Sequence, residues 1–416
     1  MNLTKEEKVY AVHSLDEVRE VLFLNEEFDI KHLLKRGFVT AWVFAANCTL
    51  RILRFALFKK WGIAKREFNN IVVYTVGIVG DNVVMLPALA ALRCRYKRAK
   101  ITVITNCQIW DQEGATGVLG PSPFKDHLIV LSDHPVRREG FRFVMDHRKF
   151  EGVRCDLFVN LSPFGNRGWI GAVVREMIFA KKLGARYAIG FRMSTYARKG
   201  IFNKIQHRFV ENEPRRSREV LKELGLIPVE NQDLLVHDEA AKESVLKKIN
   251  NDGRDIRPIF VINPGAKFQA KCWPTEHFSS VATWLSEHHD ATVVITGNGE
   301  ERNIADEVVK GASNEAINLA GQTTIQELVE LLRMAKGCVT NDTGTMHLAA
   351  MVGVATVAIF SFRLSPTHWF PLSQKLVVLF SLGECSLCYK DSCTEAKCLK
   401  NICESGVIQA LNGLLN

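Results

Sequence analysis

Residues 71–105 read IVVYTVGIVGDNVVMLPALAALRCRYKRAKITVIT. A short β-branched run, IVVYTV, gives way to a glycine-punctuated turn and then to a helix-like stretch, after which ITVIT follows as a second strand. Both strand runs are short and rich in β-branched residues, as strands of a parallel sheet are. Two such strands joined through a helix make a parallel crossover unit. The alternation continues through LIVL at 128–131 and DLFVN at 156–160, then breaks at a polar, charged stretch from Pro228 to Arg257. It restarts with IFVIN (259–263), TVVIT (292–296), INL (317–319), GCVT (337–340) and VATVAIF (354–360), separated by helical segments such as TEHFSSVATWLSEHH. The chain therefore reads as α/β, with two Rossmann-like parallel sheets.

The 416 residues are enough for two sizeable cores, and 47% hydrophobic with 24% charged residues is the composition of an ordinary soluble protein. The formal charge of +9 calls for an anionic partner. Its distribution argues against nucleic acid: no nucleic-acid module is present, and the excess is concentrated between Ile30 and Arg66, with nine Lys/Arg and no acid. Residues 1–29 are acidic, with eight Asp/Glu against three Lys/Arg. The uncharged run from Gly37 to Leu50 is too short to span a bilayer, which takes about 20 apolar residues. A basic, aromatic-bearing helix of this kind suits an anionic bilayer surface and equally suits packing on the protein's own core. The N-terminus lacks the apolar core of a signal peptide, so the expected location is cytoplasmic, peripheral on the inner face of the cytoplasmic membrane. Eleven cysteines in that setting point to reduced thiols or metal ligands.

Ligands of open parallel sheets bind beyond the carboxyl ends of strands, and four segments stand there. Gly77-Ile-Val-Gly80-Asp81 follows the first strand; Asp81 fits either a general base or a helix cap. Asn263-Pro264-Gly265-Ala266-Lys267, continuing FQAKCWP, sets Lys267 and Lys271 where cations can meet phosphate oxygens, with Gly265 in the same phosphate-loop candidate. Thr296-Gly297-Asn298-Gly299-Glu300-Glu301 brings two carboxylates that can hold a ribose hydroxyl or simply occupy a first helical turn. In NDTGTMHLAAMVGVATVAIF (341–360), Asp342, Thr343, Gly344 and His347 open a helix whose first N–H groups attract anions. An N-cap explains Asp342 or Thr343, but not His347 one turn further in, so a bound phosphate is the expectation. Neither GxGxxG nor GxxxxGK[ST] occurs. Beyond the last of these strands, away from the expected donor loops, CSLCYKDSCTEAKC carries Cys385, Cys388, Cys393 and Cys398, with Cys403 after it. These thiols fit a structural zinc or iron site, or a loop of free thiols.

The ordered motifs VGIVGDNVVMLPALAALR, RYAIGF, HRFVENEPRRSREVLKELGL, NPGAKFQAKCWPTEHF, ITGNGEE and NDTGTMHLAAMVGVATVAIF, followed by SPTHWFP, resemble glycosyltransferase family 9, the heptosyltransferases of lipopolysaccharide core assembly. The resemblance runs from about Ile71 to the end, cysteine-rich tail included. It implies a GT-B fold, two Rossmann-like domains facing across a cleft. On that reading residues 70–235 are expected to form the acceptor domain, 236–380 the nucleotide-sugar domain and 381–416 a cysteine-rich tail and helix, with 1–69, outside the resemblance, expected as an N-terminal helical extension. It further implies an inverting transfer without a catalytic metal, in keeping with the absence of a DxD motif. Asp81 would deprotonate the acceptor, Lys271 contact donor phosphate, Glu300 or Glu301 the adenosine ribose, and Asp342, Thr343, Gly344 and His347 the pyrophosphate-sugar region. The implied donor is a nucleotide-sugar, most often ADP-heptose, and the acceptor a lipopolysaccharide-type or lipid-linked glycan. A non-catalytic sugar-nucleotide binder, or a transferase with another donor or a protein acceptor, stands as the alternative. The sequence departs from the family at Thr75, Thr345, Ala355 and Ser361, where arginine, proline or leucine, proline and glycine are usual.

Overall fold

The computed structural model describes residues 8–24, 30–59, 62–106, 112–139, 142–163, 170–192, 212–228, 232–250, 257–312, 316–382 and 387–416. The chain divides into two compact units, residues 26–230 and residues 1–25 together with 231–416.

In the first unit, β2 (Asn70–Val76) is central and buried from Ile71 to Thr75, in keeping with its β-branched, mostly apolar run. It pairs in parallel with β3 (Lys100–Asn106) on one side and β7 (Leu157–Asn160) on the other. β4 (His127–Leu131) and β8 (Tyr187–Ile189) complete the sheet in the order β4-β3-β2-β7-β8. α3 (Val79–Arg95) crosses from β2 to β3 and is buried from Asn82 to Leu92. Tyr74 and Phe158 meet Phe179 of α5 (Ile170–Lys182) edge-on, with ring centroids 5.4 and 5.7 Å apart. Such pairs contribute about 0.5–1.5 kcal/mol beyond area burial. A small antiparallel hairpin, β5 (Val136–Glu139) and β6 (Arg142–Met145), lies outside this sheet.

α2 (Ile30–Leu57) contributes Val43, Ala46 and Leu50 to the same core as Val173 and Met177 of α5. Arg54 is held by Glu223 through two hydrogen bonds of 2.8 and 2.5 Å. One face of α2 thus does pack on the protein. No helix among the described residues is long and apolar enough to cross a membrane.

The second unit is a seven-stranded sheet. β9 (Ile259–Asn263), β10 (Thr292–Ile295), β11 (Ile317–Asn318), β12 (Gly337–Asn341), β13 (Ala355–Phe360) and β14 (Leu376–Leu382) are parallel, and β1 (Lys8–Val12) runs antiparallel at the edge. The order is β1-β14-β13-β12-β9-β10-β11. Residues 1–69 are therefore not one helical extension: β1 and α1 (Leu15–Leu24) belong to this unit, α2 to the other. The physical reason is the edge of β14, whose ladder β1 completes, with Tyr10 opposite Phe380 and the two rings stacked at 5.6 Å. α8 (Thr275–His289), α9 (Arg302–Gly311) and α13 (Glu404–Leu415) bury Phe278, Val308 and Leu411 in one core with Trp273, Ile262 and Val357. α7 (Glu239–Ile249), from the polar stretch after Pro228, packs on α10 (Ile325–Met334), where Lys248 pairs with Glu327 at 2.6 Å.

Candidate active site

The chain leaves β9 for β10 and β11 on one side, then passes back over β9 to β12 on the other. The loops after β9 and β12 consequently diverge, and the crevice they leave is where open α/β sheets bind ligands. Each of these strands ends in a buried asparagine, Asn263 and Asn341. The Asn341 carboxamide donates to the carbonyl of Pro264 at 2.8 Å and accepts from the backbone N–H of Trp273 at 3.1 Å, tying down both ends of the loop after β9. Asn263 donates to the Thr296 carbonyl at 2.9 Å and accepts from the Thr343 hydroxyl at 3.3 Å.

That last contact bears on the opening of α11 (Gly344–Val352). Thr343 has the extended backbone of an N-cap, yet no side chain caps the helix. Its hydroxyl turns toward Asn263 and toward Thr340 Oγ1 at 3.3 Å. The first N–H groups of α11 keep their attraction for an anion. Lys271, in the short 3-10 turn Gln269–Lys271, reaches the same place: its ammonium donates to Asp342 Oδ2 at 2.6 Å and to the Asp342 carbonyl at 3.1 Å. His347 is 5% exposed, and burial pushes its imidazole down to about 4, with Asp342 opposing and Lys271 adding to the shift. The ring is neutral near pH 7 and meets Trp369 edge-on at 5.8 Å.

Of the two adjacent glutamates, Glu300 is exposed and Glu301 half-buried, its carboxylate beside Gly265 and Gly297. Glu301 and Asn298 cap one another: Asn298 N–H donates to Glu301 Oε2 at 2.9 Å and Glu301 N–H to Asn298 Oδ1 at 3.0 Å. A β-carbon on Gly265 would meet the Glu301 carboxylate, so a side chain there would push Glu301 off its cap. Burial pushes the Glu301 carboxyl upward against the pull of the Asn298 amide. Lys267 is exposed, its ammonium 5.8 Å from the ring centre of Phe268. Lys271, Asp342, Thr343, Gly344 and His347 thus gather at one helix start, with Gly265 and Glu301 on the neighbouring strand ends.

In the first unit, Asp81 lies in the opening turn of α3 and accepts a 2.7 Å hydrogen bond from the Ile78 N–H. Gly77, at φ 145°, leaves room for that carboxylate, which a side chain there would strike.

The sequence profile of glycosyltransferase family 9 (heptosyltransferase) matches residues 178–399. The chain belongs to glycosyltransferase family 9. It is 32% identical over 224 residues to the lipooligosaccharide heptosyltransferase 2 of Campylobacter jejuni, covering 51% of this chain and 68% of that one. Among solved structures it is similar to a family 9 glycosyl transferase from Veillonella parvula, with a TM-score of 0.61 and 21% identity over 84% of this chain and 97% of the other. The E. coli ADP-heptose lps heptosyltransferase II gives 0.59 and 22% over 83% and 98%. The fold is GT-B, and the protein is a glycosyltransferase.

Within this family 9 enzyme the cysteine-rich tail is not remote from the loop carrying Lys271. The carbonyl of Asp391 accepts from Ala270 N–H at 3.2 Å, and Gln269 Oε1 accepts from Cys393 N–H at 2.7 Å. Arg363, 3% exposed, joins the two: its guanidinium lies 4.5 Å from the Phe268 ring centre, donates to the Lys390 carbonyl at 2.6 Å and pairs with Asp391 at 2.5 Å. Sequence spacing hides this arrangement, because its parts come from three separate loops. Cys385 lies outside the described residues. Among the described residues, Cys388, Cys393 and Cys398 included, no three His, Cys, Asp or Glu are gathered to hold a metal ion. Of the family departures, Thr75 and Ser361 are buried and their hydroxyls have no hydrogen-bond partner among the described residues. Ala355 is buried, and Thr345 is 9% exposed in the first turn of α11.

Proposed function

We propose that this enzyme transfers heptose from ADP-heptose, with inversion, to a lipopolysaccharide-core or related lipid-linked glycan at the inner face of the membrane. The observation that carries the donor half is the Lys271–Asp342 pair at the uncapped start of α11, on the switch point of the sheet. A diphosphate leaving group gains charge as the glycosidic bond breaks, and preset amides with a cation stabilise that charge. In this reading Lys271 and the amides from Gly344 onward take the diphosphate, with Asp342 fixing the lysine. Glu301 accepts from a ribose hydroxyl, and the neutral His347 lines the sugar end. The names of the relatives, ADP-heptose and lipooligosaccharide among them, support this donor and acceptor.

Asp81 is the proposed general base. It takes the proton of the acceptor hydroxyl while that oxygen bonds to the anomeric carbon and ADP departs from the opposite face. Its position after β2, at the carboxyl edge of the first sheet, supports the role. Charge on the leaving diphosphate is met by protein groups, so no metal cofactor enters this scheme; a zinc or iron held by Cys385, Cys388, Cys393 and Cys398 would be structural.

The test is to incubate the full chain with a panel of nucleotide-sugars and a lipopolysaccharide core acceptor, measuring released nucleotide and product. ADP-heptose should give acceptor-dependent turnover. Turnover only with another sugar, or with a protein acceptor, would replace the donor and acceptor named here; binding without turnover would mark a sugar-nucleotide binder.

A further inference from the structure

We propose that the outer face of α2 is the surface by which this enzyme rests on an anionic lipid bilayer, with Phe44, Ile52 and Phe55 entering the head-group layer and Arg51 and Lys59 meeting lipid phosphates. This deepens the membrane-associated acceptor proposed above by naming the docking surface, and rests on that reading for its biological sense only.

At 3.6 residues per turn, positions 44, 51, 52 and 55 share one side of the helix, while 43, 46, 50 and 57 share the other. The second set packs on the protein: Val43, Ala46 and Leu50 are core residues, and Leu57 packs against that core. The first set has no such partner. Phe44 is 71% exposed, Ile52 72% and Phe55 62%. Single exposed apolar residues need no explanation, but three large ones on one helix face form a patch that a soluble enzyme leaves bare only where something covers it. Phe55 and Ile52 also border a shallow pocket of about 280 Å³ with Arg51, Arg54, Phe58 and Lys59. Apolar floor and cationic rim match an acyl chain beneath a phosphate.

Charge selects the occupant. The segment from Ile30 to Arg66 holds nine Lys/Arg and no acid. Arg54 is paired with Glu223, so Arg54 is not counted toward lipid. A second copy docking the same face in a two-fold contact would bring like charges together, whereas an anionic bilayer supplies the countercharge. No described helix is long and apolar enough to cross, so α2 lies along the surface rather than through it.

Sedimentation of the full chain tests this, with vesicles of phosphatidylcholine alone and with about a third phosphatidylglycerol. The protein should pellet with the anionic vesicles only. Phe44→Ser/Ile52→Ser/Phe55→Ser and, separately, Arg51→Glu/Lys59→Glu should each lower vesicle affinity about tenfold or more. Both variants leave the buried face of α2 intact, so ADP affinity and thermal midpoint should stay at wild-type values. Undiminished vesicle binding by the triple-serine variant overturns the proposal. So does light scattering that shows a wild-type oligomer dissociating in that variant without vesicles, which would make the face a contact between copies. Vesicle binding with no turnover of ADP-heptose would remove the donor reading and leave this one standing.

Discussion

The ammonium of Lys271 stands 2.6 Å from a carboxylate oxygen of Asp342 and 3.1 Å from the carbonyl of the same residue, across 71 positions of sequence. Both side chains are nearly buried, 13% and 11% exposed. The lysine is thereby held at the start of α11 before any donor arrives. Charge-assisted hydrogen bonds contribute about 1.5–3 kcal/mol, so Lys271→Ala should weaken ADP binding about 10- to 100-fold. Asp342→Ala should act through the same lysine, and the double variant should be far from additive. Isothermal titration of the four proteins with ADP measures the coupling; additive losses would mean the two residues work separately.

Asp81 both caps α3 and, in the proposed mechanism, removes a proton. Asp81→Asn separates the roles, because the amide oxygen still accepts from the Ile78 N–H while its basicity is gone. We expect kcat to fall about 10²- to 10⁴-fold, with ADP affinity and thermal midpoint nearly unchanged. A variant that unfolds early yet keeps its kcat per folded molecule would leave Asp81 as a cap alone.

Two histidines, His347 buried and His134 half-buried, give a signed dependence on pH. His347 and His134 are each pushed down to about 4, in both cases mainly by burial, from an ordinary value of 6.5. Between those limits the unfolded chain binds the protons that the folded one refuses, so stability present above pH 6.5 is lost as pH falls toward 4. Each full shift corresponds to roughly 3 kcal/mol. The carboxylates held low by partners, such as Glu327 beside Lys248, lose stability only below about their ordinary 4.5. Glu301, raised by burial, works in the opposite sense. Thermal midpoints at pH 7.5 and 5.0 should therefore differ, and His347→Gln should reduce the difference. An unchanged slope would mean the ring is not protected from protonation.

Arg363 should matter to donor binding without touching the donor. Removing it takes away the stack on Phe268 and the pair with Asp391, leaving Ala270 N–H as a remaining link from that loop to the Asp391 backbone. In Arg363→Ala, amide exchange at Ala270 should accelerate and ADP affinity drop severalfold. Arg363→Lys should recover little, since an ammonium cannot reproduce the planar fork and stack together. Exchange at Ala270 as slow as in wild type would show that the tail does not steady this loop.

The interior strands were legible because a strand buried on both faces is mostly apolar and β-branched, as IVVYTV and IFVIN are up to the Thr75 and Asn263 near their ends. The glycine-led loops at 77, 265 and 344 were legible because a strand end followed by a helix start has few chemical solutions. β1 was not: KVYAV is five residues of ordinary composition whose strand character comes from the β14 edge, more than 360 positions away. The choice between Glu300 and Glu301 was equally hidden, since it depends on which one turns toward Gly265. The place of the cysteine-rich segment beside Gln269 and Ala270 follows from Arg363, a long-range contact that no local pattern encodes.

Because β1 is borrowed from the far end of the chain, the carboxyl-terminal unit is not a contiguous fragment. A polypeptide started at residue 231 would leave the ladder of β14 from Val378 to Leu382 without the strand that covers it. Bare edges recruit whatever strand they meet, so such a fragment should self-associate. A synthetic peptide spanning residues 8–24 should restore it to a monomer by slotting in antiparallel, in the way a missing strand is supplied in trans. Residues 8–12 are thus the last strand of a sheet whose other strands all lie beyond residue 258.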